Sequence, residues 1–583
     1  MEHEGLMEVV FMLEFNAIIS HFIYHYESGY KDMPTLSGRL FPKTKLGPEQ
    51  TIALSLLDAT TLNFAHTCVV WLCEAPDRIR DDSFYLADHL RESLRTTLDA
   101  YPQWCGQIYG ITTLDGTTET YAADRPRHTR RLGRLHVHYG NPQDPGVEFI
   151  VADSTATLDM LSPAYRMTDQ PLWNRQNVPL KEFVPSTPLS KALQPVPVDK
   201  EGIPAPLLAV QMTSLACGGF ILGVNSVHPM ADVQSLVHFV KDWASVSRSV
   251  LSIEPLSVLR PQFKPELLDS LASGDIEADT PDSAIVKQAE SMPLHRYDWW
   301  TPSPGCPWPI KVPDALAGKE ILPAGKPMPW SDWDVTQPVS HYVVHLNQYQ
   351  VDLIVKCSTR SSDGSSTGTA PGRLSQHDAI LAHIWSCINR ARKLEQNNQP
   401  VHCNLVLGVR PAFKFSQSFM GSPVIMINIE LPVVAVTATL KSSGNANTPV
   451  LQPIAQHIRQ TISQVNQPAL LAAHLHSLAY EDSPQRIWQA FLGRRHILVT
   501  TWARAGLYEV DFGLRSSPMI RYADGMVPDM DGNVLIKEAP PLRENTTDGD
   551  DSPRSWTRNG VDISLRLRTE DMNRLVNDPL LFP

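Results

Sequence analysis

The stretch that decides the fold is FILGVNSVHPMADVQSLVHFVKDW, residues 220–243. Its opening FILGVNS (220–226) and the preceding LLAVQMTSL (207–215) read as two strands around a Cys217-Gly218-Gly219 turn. From Val233 the period changes: Val233, Leu236, Val237, Val240 and Ala244 fall at helical spacing and give one apolar face. His228 therefore falls on the short connection between a buried strand and a helix, where a rigid scaffold presents side chains to a cleft. Asp232 stands just before the helical period, where a carboxylate caps free backbone N–H groups. An imidazole, with an ordinary pKa near 6.5, is the usual general base at neutral pH. A histidine that only packs at a strand end fits the same local pattern.

A second motif in the right order separates the two readings. VTTWARAGLYEVDFGLRSSPMIRY (499–522) contains Asp511-Phe512-Gly513. With His228 and Asp232 about 280 residues upstream, the chain resembles the BAHD-type acyl-CoA-dependent acyltransferases of plants and fungi. LSLLDATTLNFAHTCVVWL (54–72) and LRESLRTTLDAYPQWCGQI (90–108) look like that family's opening strand, first long helix and following turn. SQHDAILAHIWSCINRAR (375–392), LVLGVRPAF (405–413) and RNGVDISLRLRTEDMNRLVND (558–578) resemble the helix, the G/D-V-R strand and the closing strand and helix of its second half. The resemblance covers roughly residues 36–583. The chain departs from the pattern at Val233, where the family has Gly, at Leu514-Arg515 in the last two places of DFGWG, and at Gly421-Ser422 in place of Gly-Asn.

The resemblance implies an α/β fold of two similar mixed-sheet and helix domains joined by a long crossover linker, with an active-site channel between them. It implies His228 as the catalytic base and Asp232 turned away from the pocket, paired with an arginine for which Arg410 is the match. Thr500 would face the oxyanion and Trp502 would line the pocket. Asp511, Phe512 and Gly513 would play a structural part remote from the chemistry. Acyl-CoA is then a co-substrate, and neither a resident cofactor nor a metal is expected; which residues bind the CoA is left open. The acceptor would be a small molecule with a hydroxyl or amine, typically a secondary metabolite.

Composition agrees with an enzyme of this size. A chain of 583 residues, 42% hydrophobic, buries large cores and forms more than one domain. A net charge of −12 argues against nucleic acid or an anionic membrane as the main partner. The local exception is 126–138 with the residue before it, carrying arginines at 125, 127, 130, 131 and 134, which reads as a solvated loop and edge strand. The eight cysteines carry no CxxC pair and read as reduced thiols of a cytoplasmic protein. VVFMLEFNAIISHFIYHY (9–26) is interrupted by Glu14, Asn16 and His21 and follows an acidic, not basic, start, so neither a signal peptide nor a membrane span is expected. His21 and His25 stand at i,i+4 spacing, and no metal is expected there.

The expected organisation is an N-terminal extension (1–35), an N-terminal domain with HxxxD (36–260), a Pro/Trp-rich crossover (261–335) and a C-terminal domain with DFG (336–583), in a monomer. SSDGSSTGTAPG (361–372), SSGNANTP (442–449) and RENTTDGDDSPRS (543–555) read as surface insertions. Three other readings stand beside the acyl-CoA one. A condensation-domain-like synthase using carrier-protein thioesters would show HHxxxDG, but Val227 precedes His228 and Val233 follows Asp232. A relative that binds without catalysis is left open by the altered DFGLR. A serine or cysteine hydrolase lacks its GxSxG elbow.

Overall fold

The computed structural model describes residues 35–44, 47–77, 85–114, 125–163, 170–176, 178, 180–307, 309–359, 373–395, 399–441, 447–516, 519–541 and 555–583. The N-terminal extension to residue 34, the 361–372 insertion and most of the other two polar insertions lie outside the described residues. Two large mixed sheets carry the fold, each backed by helices, so the α/β class with two sheet-and-helix layers is as expected.

The first sheet has six strands in the order Thr35–Leu40, Val147–Ser154, Leu208–Leu215, Phe220–Ser226, Thr67–Cys73 and Ile520–Gly525. Phe220–Ser226 is buried along its whole length because it is flanked on both edges by antiparallel partners, and helices cover the sheet. Such a strand needs apolar residues on both faces, hence the unbroken run that preceded the histidine. Helices Leu86–Leu98 and Val233–Ser252 pack together on this sheet through Leu90, Leu94, Leu98, Phe239, Val240 and Trp243.

The second sheet has seven strands in the order Val424–Pro432, Pro400–Gly408, His496–Thr501, Asn533–Glu538, Val561–Arg568, Val339–Leu346 and Leu172–Asn174. The nearly all-buried helix Gln376–Arg392 lies in its core. It begins with a capping box in which Ser375 and Asp378 satisfy each other's backbone N–H groups.

The two sheets exchange their last strands. Ile520–Gly525 comes from late in the chain yet pairs with Thr67–Cys73, and Leu172–Asn174 comes from the first half yet pairs with Val339–Leu346. Buried charges sit where the exchanged strands meet: Arg175 faces Asp524 at 3.4 Å, and Lys537 lies between Asp524 and Asp562 at 3.9 and 3.6 Å.

The arginine-rich segment differs from its expectation. Leu135–Tyr139 is the central strand of a three-stranded sheet, between Gln50–Ala53 and Gln107–Gly110, not an edge. Arg134 is buried and donates to the carbonyls of Leu478, Ala479 and Glu481, while Arg131 donates to Ala479. These arginines satisfy the C-terminal end of helix Pro468–Ala479, whose last carbonyls have no partner within the helix. Charge counting along the sequence cannot see that docking.

Candidate active site

A cavity of about 1260 Å³ runs between the two sheets, lined from the first half by Phe64, His66 and His228 and from the second by Trp488, Thr500 and Trp502. The strand Phe220–Ser226 ends at Ser226, and residues His228–Met230 form a single tight turn before the helix Val233–Ser252 begins. That turn leaves the His228 ring deep in the molecule, open to the cavity. Phe64 packs edge-on against it, with ring centroids 5.1 Å apart.

The other face of His228 is fixed by polar contacts. Its Nδ1 lies 2.9 Å from Ser422 Oγ. Ser422 is itself held by its backbone N–H, which donates to Asp58 Oδ1. Asp58 Oδ2 accepts from the Ser55 hydroxyl at 2.7 Å and the Ser55 N–H at 3.1 Å, in the capping box of the short helix Leu56–Thr60. Gly421 permits the approach: its φ is +125°, and a Cβ there would stand 2.9 Å from Asp58 Oδ1. Neither Asp58 nor Ser422 was singled out from sequence as a site residue. The S-x-x-D box was visible in Ser55-Leu56-Leu57-Asp58, but its link to a residue 364 positions away runs through a backbone amide that any residue type supplies.

Burial sets the protonation states. It lowers the His228 pKa to about 4, against the opposing pull of the Asp232 charge and its own backbone carbonyl. The ring is therefore a neutral imidazole at physiological pH. Burial raises the Asp58 carboxyl to about 7, against the Ser55 and Ser422 hydrogen bonds that favour its ionised form. His66 is a second imidazole on the cavity wall, exposed to it.

Asp232 caps the helix, its Oδ1 accepting from Ser235 N–H at 2.9 Å. Both its oxygens also accept from Arg410, one at 3.1 Å, in a bidentate pair that is buried on both sides. Arg410 further donates to Ser235 Oγ (2.7 Å), Gly421 O (3.1 Å) and Phe419 O (3.0 Å). The pair thus ties the helix behind His228 to the Gly421-Ser422 corner from the second half of the chain. Arg410 follows the strand Pro400–Gly408 directly, which sets its reach.

Thr500 and Trp502 belong to the end of the strand His496–Thr501 and the turn after it, and both line the cavity with His228. The neighbouring Thr501 hydroxyl is bonded to His377 Nε2 at 2.9 Å.

Asp511, Phe512 and Gly513 lie elsewhere, and among the described residues they are not on the cavity wall. The segment before them is a tight turn at Leu507–Glu509. Phe512 packs edge-on against Trp243 at 5.0 Å, its carbonyl accepts from Ser247 Oγ at 2.8 Å, and Asp511 O accepts from Arg248. Asp511 Oδ1 accepts from Gly513 N–H at 2.8 Å, closing the turn. The motif therefore braces the far side of the helix that begins at Asp232. Gly513 has φ +75°, and a Cβ would meet Arg248 Cγ at 2.8 Å. Gly513→Ala is expected to cost about 1–2 kcal/mol from the left-handed backbone alone. Urea unfolding would show the loss, with kcat of the folded enzyme unchanged; a stable but inactive variant would contradict a bracing role.

The crossover supplies much of the remaining wall. Trp299, Trp300, Trp330 and Trp333 line the cavity with Trp488 and Phe491, and Trp330 and Trp333 stack at 5.7 Å. Tyr297–Asp298 pairs with Ile487–Trp488, and Asp298 receives both arms of Arg486 at 2.7 and 2.9 Å, which anchors this segment to the second half. The stretch read as a linker is thus one side of the site. It also contains the helix Ser283–Glu290, capped by Asp282.

Residues 174–296 match the family described as the Transferase family. The chain is 24% identical over 565 residues to acyltransferase AFT15-1 of Alternaria alternata, covering 93% of this chain and 96% of that protein. It is 22% identical over 560 residues to acyltransferase abl6 of Leptosphaeria maculans, covering 94% and 97%. Among solved structures, F. graminearum TRI101 complexed with ethyl coenzyme A shares the fold with a TM-score of 0.57 at 15% identity, over 92% of this chain and 98% of that one. The protein is an acyltransferase. More particularly, it resembles the BAHD-type acyl-CoA-dependent acyltransferases, which move an acyl group to a hydroxyl or amine of a small molecule.

Proposed function

We propose that this acyltransferase works in the cytoplasm as a monomer on an apolar secondary metabolite, with His228 as the general base and no resident cofactor. The observation that carries the reading is the His228 ring, open to the cavity and tethered at Nδ1 by Ser422. With Nδ1–H donating to Ser422 Oγ, Nε2 keeps its lone pair for the acceptor. A thioester carbonyl is already activated, so no enzymic nucleophile is required. Nε2 takes the proton as the acceptor oxygen or nitrogen attacks the acyl carbon. The tetrahedral oxyanion is met by the Thr500 hydroxyl. As the C–S bond breaks, the imidazolium returns its proton to the departing thiolate of CoA. Asp232 and Arg410 hold the loop and take no part in proton transfer, unlike the acid of a Ser-His-Asp triad.

The wall supports an apolar acceptor or acyl group. Trp299, Trp300, Trp330, Trp333 and Trp488 offer flat faces, and of the cations on the wall (Lys311, Arg410, Arg486 and Arg504) Arg410 and Arg486 are paired with carboxylates. Among the described residues no helix is long and apolar enough to cross a membrane. The test is to incubate the purified protein with a panel of acyl-CoAs and candidate acceptors and follow free CoA. CoA release that depends on an apolar hydroxyl or amine acceptor is the expected result. Turnover only with acyl groups on a carrier protein would overturn the proposed donor.

A further inference from the structure

Away from that cavity, three histidines meet where the crossover lies against the seven-stranded sheet. His402 on Pro400–Gly408 and His496 at the head of His496–Thr501 are direct partners in the parallel pairing of their strands. Their rings stack at 4.4 Å with an interplanar angle of 11°. His295 comes from the crossover, its ring 5.1 Å from His402 and 5.5 Å from His496. Each contributes one ring nitrogen to a cluster whose members all lie within 4.8 Å of one another.

These nitrogens are without the partners that buried polar atoms normally have. His496 is 4% exposed and neither of its ring nitrogens makes a hydrogen bond; His295 Nε2 is in the same state. An unsatisfied buried polar group costs about 1–3 kcal/mol, and such groups call for an explanation. His402 is different in an informative way. Its Nδ1 lies 3.2 Å from Asn428 Oδ1, with Glu430 Oε2 at 3.7 Å. A carbonyl acceptor assigns the proton to Nδ1 and leaves Nε2 with a lone pair, the arrangement that orients a metal-ligating histidine. Three imidazoles are thus presented together. Arg392 is paired with Asp531 at 3.1 Å, and Glu430 brings negative charge to the open side.

We infer that His295, His402 and His496 form a binding site for a transition-metal dication, zinc(II), with water as the fourth ligand. Imidazole is a preferred ligand for zinc, and three histidines leave one position open. Zn–N bonds of about 2.0–2.1 Å in a tetrahedron place the nitrogens roughly 3.3 Å apart, so binding draws the three rings inward. His295 and His402 are half-buried, which gives the ion a way in. The site serves as a clip. The crossover is already tied here by Asn428 N–H to Pro293 O at 2.7 Å, and zinc would fasten it two residues further on. Phe491, which packs edge-on against His496 at 5.3 Å and lines the cavity, would be held in place by the same clip.

The sequence gives no sign of this site, because its ligands come from three distant segments with no ligand spacing between them. The test uses untagged full-length protein, stripped with a chelator, loaded with zinc chloride, desalted and analysed for metal by mass spectrometry. The expected result is one zinc per chain, with a Tm rise of roughly 2 °C at a hundredfold excess over Kd. The H295Q/H402Q variant, altered at the two half-buried positions, is expected to lose both the bound zinc and the Tm response. Wild-type protein that retains less than about a tenth of an equivalent, or a variant that retains as much zinc as wild type, would overturn the site.

Discussion

His228→Ala is expected to lower acyl transfer by about 10²–10⁴-fold with saturating acceptor, the usual contribution of a positioned base. Acyl-CoA binding, followed by calorimetry, should survive, because the ring makes one tethering hydrogen bond and one aromatic contact, not a structural network. Near wild-type turnover in this variant would remove His228 from the chemistry. The wild-type pH profile gives an independent reading. With the pKa lowered to about 4, the base form dominates from about pH 5.5 upward. The contribution of His228 to the rate should be flat from pH 6 to 8 and fall as pH approaches 4. The same shift bears on stability. The unfolded chain takes up this proton near pH 6.5 and the folded chain refuses it, so stability is full above pH 6.5 and declines as pH falls toward 4. His377, His383 and His474, each lowered to about 4 by burial, act with the same sign.

Arg410→Ala is expected to destabilise the fold by about 3–5 kcal/mol, because it strands the Asp232 carboxylate in a buried site. It also removes the donors to Ser235 Oγ, Phe419 O and Gly421 O. Asp232→Ala should likewise be destabilising, losing the helix cap along with the ion pair. The double variant should lose less than the sum, by roughly 0.5–3 kcal/mol of coupling in urea unfolding. The rate should fall with stability, since Gly421 and Arg410 share the corner from which Ser422 reaches His228. Strictly additive losses would show that the two side chains do not act as a unit.

What could be read from sequence followed from local periodicity. The strand, turn and helix around His228 were legible because the change from an unbroken apolar run to helical spacing occurs within a few residues. The N-cap position of Asp232 was legible for the same reason. Other features depend on contacts between distant segments. Leu172–Asn174 is too short to show a period, yet it completes a seven-stranded sheet. Trp299, Trp330 and Trp333 read as linker residues because Pro-rich sequence has no period. Their place on the cavity wall is fixed instead by Asp298, Arg486 and a two-residue strand pairing. Arg134 gave only its charge, while its partners are backbone carbonyls that no side-chain pattern reveals.

The exchanged strand Ile520–Gly525 has a consequence for biosynthesis. Thr67–Cys73 is buried along its length and gains its second edge partner only when residues 520–525 exist. At about 5–20 residues per second, the ribosome takes roughly 20–90 s to make the intervening chain. Throughout that interval a bare, largely apolar strand edge is presented to other nascent chains, a template for unwanted pairing. Truncation before residue 520 should therefore yield aggregates in place of a soluble first half. That edge gains its partner only when about nine-tenths of the 583 residues have been made.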